Sequence, residues 1–323
     1  MNDRDAVTLA IGGAAVRFVF HRQPVRDAIL PAFLHLPRAE VPMLTVHLHD
    51  AMSLPDAATR DHGVAPASDG NAFHLMDGPD NTWFTQDSGK ICGWIDWRRS
   101  EAWWWVRDAD DLSYIERSAP LRPLLAHWLA RHRQYLVHAA AVGDARGGIL
   151  ILGHGGAGKS TTALVCLEAG MGYAADDHCL VETAPIPMVN SLFATGKVDV
   201  GQLPDFPALS AAAQTTGRPH TEKVVLYLSR LADRPLAPRM PLRALVLARI
   251  TGRRATTLHP IRRAEAYRAI ASSCALHFPS ARAAALDCYS GLVKRLPVHT
   301  LELGTDRDQI PAAIRALLAD PAD

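Results

Sequence analysis

Eight consecutive residues near the middle of the chain, Gly153-His154-Gly155-Gly156-Ala157-Gly158-Lys159-Ser160, satisfy the pattern G-x-x-x-x-G-K-[ST]. Glycines at 153, 155, 156 and 158 let the backbone take positive φ and turn its N–H groups inward around anionic oxygens. Lys159 is placed to reach terminal phosphates, and the Ser160 hydroxyl to ligate Mg²⁺. The context suits the pattern, because an apolar strand, "GGILILG", precedes it and a helix, "KSTTALVCLEAG", follows. That helix begins with Lys159, Ser160 and Thr161, adds the partial positive charge of its N-terminus, and stops at Gly170. The expectation is a phosphate cradle that binds a nucleotide.

Two adjacent carboxylates follow one helix later, in "YAADD", at Asp176 and Asp177. A short strand returning parallel to "GILILG" would end beside the cradle and bring both near the phosphates. Neighbouring strand residues point to opposite faces, so the two do different work unless the strand ends there. One is suited to holding Mg²⁺, the other to accepting a proton from an attacking hydroxyl. A solvated strand end with a turn aspartate is the plainer alternative.

Basic residues are nearly all arginine, and lysine occurs only at Lys90, Lys159, Lys197, Lys223 and Lys294. The formal net charge of +1 gives no electrostatic case for nucleic acid or an anionic membrane surface. Apolar runs are of strand length, too short to cross a bilayer, and the first residues lack the apolar core of a secretory leader. Cys92, Cys166, Cys179, Cys274 and Cys288 are scattered and odd in number. That pattern fits reduced thiols in a cytoplasmic protein rather than disulfides or structural zinc. "HLHD" puts His47 and His49 on one strand face, as a metal pair or as two solvated side chains.

Residues 1 to about 115 read as β-rich, with β-formers between Gly, Asn and Asp turns. All seven tryptophans lie before residue 129, including Trp103-Trp104-Trp105. They read as core and inter-domain packing or as a peptide-docking surface, since three consecutive side chains of a strand cannot share one face. "SAPLRPLLAHWLARHRQ" reads as one helix capped by Ser118. "YLVHAAAV" reads as a single strand that puts His138 on the face of Leu136, Ala140 and Val142. The expected architecture is α/β: an N-terminal β-rich domain over residues 1–132 ending in a linking helix, and a P-loop domain over 133–323.

Residues 135 to about 182 resemble the HPr kinase/phosphorylase family, ATP-dependent protein-serine kinases whose core is similar to phosphoenolpyruvate carboxykinase. The resemblance rests on "LVHAAAV", the cradle, "KSTTAL", the helix-ending glycine and the "ADD" pair. It implies that His138 lies near the phosphates, that Lys159 and Ser160 serve ATP and Mg²⁺, and that Asp177 is the base, leaving Asp176 beside Ser160 for the metal. Thr161 stands where enzymes acting on HPr have glutamate, and their downstream glutamate-arginine-glycine segment and arginine-rich catalytic loop are missing. "NSLFATGKVDV", "HTEKVVLYLS" and "VHTLELGTDRDQIPAAIRALL" are more similar to the HPr-kinase-like enzymes of lasso-peptide gene clusters, which phosphorylate the terminal serine of a precursor peptide. Lys197 and Lys223 then become candidates to replace the missing arginine at the γ-phosphate. Relatives of HPr kinase often form hexamers, so the resemblance leaves both a monomer and a homo-oligomer open. The alternatives are a reversible kinase acting on a folded carrier and a nucleotide-dependent peptide-binding sensor without transfer chemistry.

Overall fold

The computed structural model describes residues 5–51, 74–86, 90–214, 223–275 and 282–320. His220, Thr221 and Glu222 of the "HTEK" segment and residues 276–281, at the junction of two expected helices, lie outside these. The chain divides into two compact units, Met1–Trp128 and Leu129–Asp323. Among the described residues no helix is long and apolar enough to cross a membrane.

In the first unit, β1 (Ala6–Ile11), β2 (Ala14–Phe20), β3 (Leu44–Asp50), β4 (His74–Asp77), β5 (Asn81–Gln86), β6 (Ile91–Asp96) and β7 (Glu101–Val106) form one sheet. Its order is β1-β2-β3-β7-β6-β5-β4. Strict in–out alternation divides the tryptophan run: Trp104 is buried, while Trp103 and Trp105 face the other side. Trp103 stacks on Trp94 at 4.6 Å, and Trp94 on Trp83 at 4.8 Å, so indoles of three adjacent strands pack on one another. Across β3, His47 stacks on Trp103 at 5.5 Å. Helix α1 (Gln23–Ile29) lies between β2 and β3.

The expected helix capped by Ser118 is in fact two. Ser113 caps α2 (Tyr114–Ser118) by accepting from the Glu116 amide, and Ser118 is the last residue of that helix. Pro120 has no N–H to continue it, and Leu121 turns through φ 57° before α3 (Arg122–Arg131) begins.

The second unit is built on a nine-stranded sheet. Its members are β8 (Tyr135–Val137), β9 (Ala140–Asp144), β10 (Gly147–Leu152), β11 (Gly172–Ala175), β12 (Cys179–Glu182), β13 (Met188–Ser191), β17 (Arg239–Ile250), β18 (Thr257–Pro260) and β19 (Val298–Leu303). A smaller sheet joins β14 (Thr195–Asp199), β15 (Ala213–Gln214) and β16 (Lys223–Tyr227) in the order β14-β16-β15. Every residue of β10 is buried because helices cover both faces of the sheet. Ile149 and Ile151 pack in a cluster with Leu164 and Leu167 of α4 (Lys159–Glu168). Ile314 of α7 (Gln309–Ala319) joins the same cluster. Leu150 and Leu152 face Ile270 of α5 (Arg263–Ala275) and Leu292 of α6 (Arg282–Arg295). Each such fully buried aliphatic side chain contributes about 1.5–3 kcal/mol. The core thereby fixes β10, and with it the start of the glycine loop.

Two departures from the sequence expectation shape the site. The "YLVHAAAV" segment is not one strand: it breaks at His138 and Ala139 between β8 and β9. The partner segment breaks opposite, at residues 176–178, between β11 and β12. Cys179 pairs with Val137 on one side of the break, and Ala175 with Ala141 on the other. The sheet order β11-β9-β10-β17-β13-β12-β8 has β9 and β11 at one end and β8 and β12 at the other, so both breaks carry the chain between the two ends. Secondly, β11 runs in the direction of β10 but is not its neighbour, because β9 lies between and pairs antiparallel with both. Asp176 and Asp177 lie beyond the end of β11, so alternation no longer separates them.

Candidate functional site

The glycine loop leaves β10 and closes onto α4. Gly153, Gly156 and Gly158 take φ of 149°, 80° and 95°. Gly155 is absent from the positive-φ residues, and a Cβ there would meet nothing within 4 Å, which corrects the expectation that all four glycines are needed for backbone conformation. Gly158 is the most constrained, since a Cβ would also lie 2.4 Å from Leu303 Cδ1. It stands at the N-cap of α4 in the left-handed region with no side chain capping the helix, so the first-turn amides face the loop's concavity. Lys159 is buried, and its Nζ donates to the carbonyls of Gly153 at 2.8 Å and His154 at 3.1 Å. Burial lowers its pKa, opposed by the charges of Asp177 and Asp176. His154 is exposed, Ala157 is buried, and Thr161 is half-buried in the first turn of α4.

The two aspartates meet this lysine and serine. The buried Asp176 carboxylate accepts from the Lys197 backbone amide at 2.8 Å, and the Ser160 side chain beside it favours its charged form. Burial pushes its carboxyl up to about 6; Asp177 adds to this, and Lys197 opposes it. Asp177 lies among nitrogen-bearing side chains. His138 Nε2 is 2.8 Å from Oδ1, while Lys197 Nζ at 2.6 Å and His178 Nδ1 at 2.9 Å both approach Oδ2. Burial alone would raise this carboxyl, but the charge at His178, the contacts with His138 and His178, and Lys197 together hold it well below the usual carboxylate range. The resting Asp177 is therefore a stabilised anion.

Local structure explains the convergence. His138 and Asp177 sit at the two facing strand breaks. Lys197 comes from β14, anchored to the end of β11 by the Tyr173 hydroxyl on the Thr195 carbonyl at 2.6 Å and by the Lys197 amide on Asp176. Lys223 shares the β14–β16 face with Lys197, in the register Asp199↔Lys223 and Lys197↔Val225. Its ammonium is 3.9 Å from the exposed Asp199, and it is not brought into the Asp177 cluster. His178 was not among the sequence candidates. It is buried, stacks on His138 at 5.3 Å and 22°, and shares Asp177 with it. Only its adjacency to the aspartates in "ADDH" could have signalled it.

A cavity of about 860 Å³ runs along the loop from His138 past residues 153–157. It extends to Leu247, Arg249 and Ile250 of β17, Thr300 of β19, and Ile261, Glu265 and Ala269 at and along α5. Among the described residues, no group of three or more His, Cys, Asp or Glu side chains is placed to hold a metal. Ser160 and Asp176 nevertheless form a hard oxygen pair beside the loop. That suits Mg²⁺, which takes one or two protein oxygens and completes its shell with phosphate and water. Cys92, Cys166, Cys179 and Cys288 are free thiols.

No protein-family model matches the chain. No curated protein matches it either. Among solved structures it is similar to the HPr(Ser) kinase/phosphatase from Coxiella burnetii, at 12% identity over 57% of this chain and 93% of that one, with a TM-score of 0.29.

Proposed function

We propose that this chain is an ATP-dependent kinase that transfers the terminal phosphoryl group to a serine hydroxyl of a peptide. The observation that carries the reading is the contact between the two halves of the sequence pattern. Ser160 of the loop lies beside Asp176, and Asp177 next to it is held by His138, His178 and Lys197. A serine hydroxyl is a weak nucleophile at neutral pH, so transfer needs a carboxylate aimed at its proton. Asp177 takes that proton as the serine oxygen bonds to the γ-phosphorus, and the bond from phosphorus to the β–γ bridging oxygen breaks to release ADP. Lys159 and the loop amides bind the tail, and Lys197 is the cation nearest the base for charge developing on the transferred group. Mg²⁺, held by Ser160 and Asp176, would supply neutralisation of phosphate charge.

The acceptor is a precursor peptide of the lasso-peptide type, a reading supported by Thr161, by the missing arginine-rich loop and by the later segments quoted above. Incubating the protein with ATP, Mg²⁺ and a serine-terminated peptide, followed by mass spectrometry, tests it. A gain of one phosphate on the terminal serine is expected. Nucleotide binding without phosphate on any acceptor would leave a sensor. Release of pyrophosphate from the phosphorylated product on adding phosphate would point instead to a reversible enzyme of the HPr type.

A further inference from the structure

The cavity beside the loop falls within the range of about 300–1,000 Å³ typical of pockets that enclose a small molecule, and its two ends differ in chemistry. At the near end are His138 and the loop backbone. The far wall carries aliphatic side chains, Leu247 of β17 and Ile261 and Ala269 at and along α5, with the exposed Arg249 on the same stretch of β17, while Ile250 lies against Gly158 of the loop. Glu265 is the one carboxylate among its lining residues. Polyphosphate gains nothing from aliphatic carbon and is repelled by a carboxylate, so the phosphates belong with the loop backbone rather than against Leu247, Ile261, Ala269 and Glu265.

Topology fixes which end is which. The loop follows β10, whose neighbours are β9 and, parallel to it, β17. Beyond β9 lies β11 with the aspartates; beyond β17 lies β19, again parallel. In such sheets ligands span the carboxyl ends of parallel strands. A nucleotide whose terminal phosphate points to Asp177 therefore extends its other end over β17 and β19. We infer that the wall formed by Leu247, Ile261 and Ala269 seats the nucleoside, and that Glu265 accepts a hydrogen bond from the exocyclic amine of a purine. The inference rests on the nucleotide reading of the loop, and adds to it the part of the ligand that the glycine pattern does not address.

Calorimetry on the full chain with Mg²⁺, using ATP, ITP and inorganic tripolyphosphate as probes, tests it. Wild-type protein should bind ATP at least about tenfold more tightly than tripolyphosphate. Ala269→Trp, which fills the slot, should bring ATP down to the tripolyphosphate value while leaving the latter unchanged. Glu265→Gln should narrow the preference for ATP over ITP, because an amide donates to a purine carbonyl that a carboxylate repels. Equal affinities for ATP and tripolyphosphate in the wild type, or full ATP affinity in Ala269→Trp, would overturn the nucleoside seat. An unchanged ATP-to-ITP ratio in Glu265→Gln would overturn the role of Glu265. Failure of the wild type to bind either ligand would overturn the nucleotide reading itself and the seat with it.

Discussion

Replacing Asp177 with asparagine separates its chemical role from its structural one. The side chain keeps its shape and one acceptor oxygen but loses the charge that faces Lys197 at 2.6 Å and His178 at 2.9 Å. Removing one member of a buried ion pair costs about 3–5 kcal/mol. The Asp177 side chain is 21% exposed and water can solvate part of the orphaned charge, so about 2–3 kcal/mol is a reasonable expectation. In a unit of this size each kcal/mol moves Tm by about 2–4 °C, which gives a drop of about 4–12 °C at neutral pH. The sign with pH follows from the depressed carboxyl of Asp177. Its stabilisation is fully present above the unfolded value of about 4 and disappears as pH falls through the lower folded value, so the Tm gap should persist from neutrality to about pH 4 and close only below it. Loss of a general base should lower kcat by about 10²–10⁴-fold. Nucleotide affinity should hold or improve, since a negative charge leaves the phosphate end. Differential scanning fluorimetry, mass-spectrometric transfer assays and calorimetry read the three quantities. Transfer at the wild-type rate with an unchanged Tm would refute both roles together.

Other substitutions divide the site. Lys197→Met should lower kcat by about 10²-fold, as for loss of one charge-stabilising donor, whereas Lys223→Met, whose partner is the exposed Asp199, should stay within about twofold; equal losses would erase the distinction drawn from geometry. Gly158→Ala should lower Tm by several degrees, because the left-handed conformation alone costs about 1–2 kcal/mol and the new Cβ meets Leu303. Gly155→Ala should leave Tm unchanged, and equal melting of the two variants would contradict the loop geometry. His178→Phe keeps a ring against His138 but loses the nitrogen at Asp177, so kcat should fall about tenfold with nucleotide Kd unchanged, and His178→Asn should recover part of it; full activity in the Phe variant would make His178 a core residue only.

The local signals were legible in the sequence and the long-range ones were not. Glycine spacing, the lysine–serine pair and an apolar run before them specify a strand, a loop and the helix over Lys159–Glu168. Alternation within Trp103–Trp105 predicts that one indole goes inward and its neighbours outward, and Trp104 does. Apolar periodicity, however, does not reveal that "YLVHAAAV" splits, because Leu136 and Ala140 are buried on either side of the break just as they would be in one strand. What separates them is the partner: β8 pairs with β12 and β9 with β10 and β11, a choice made some forty residues downstream. For the same reason Lys197 and Lys223 looked equivalent. Only the register between β14 and β16 sets one against Asp177 and the other against Asp199.

The facing breaks at 138–139 and 176–178 have a mechanical corollary. The residues of this seam lie outside the strands, so the length and turns of the two crossings, not alternation, set where each imidazole and carboxylate points, and deleting or inserting a single residue in either crossing would shift His138 against Asp177. The seam thus works like the gap of a C-clamp: the sheet supplies the frame, and the width of the opening, set by two or three residues of chain, determines whether acid and imidazole meet.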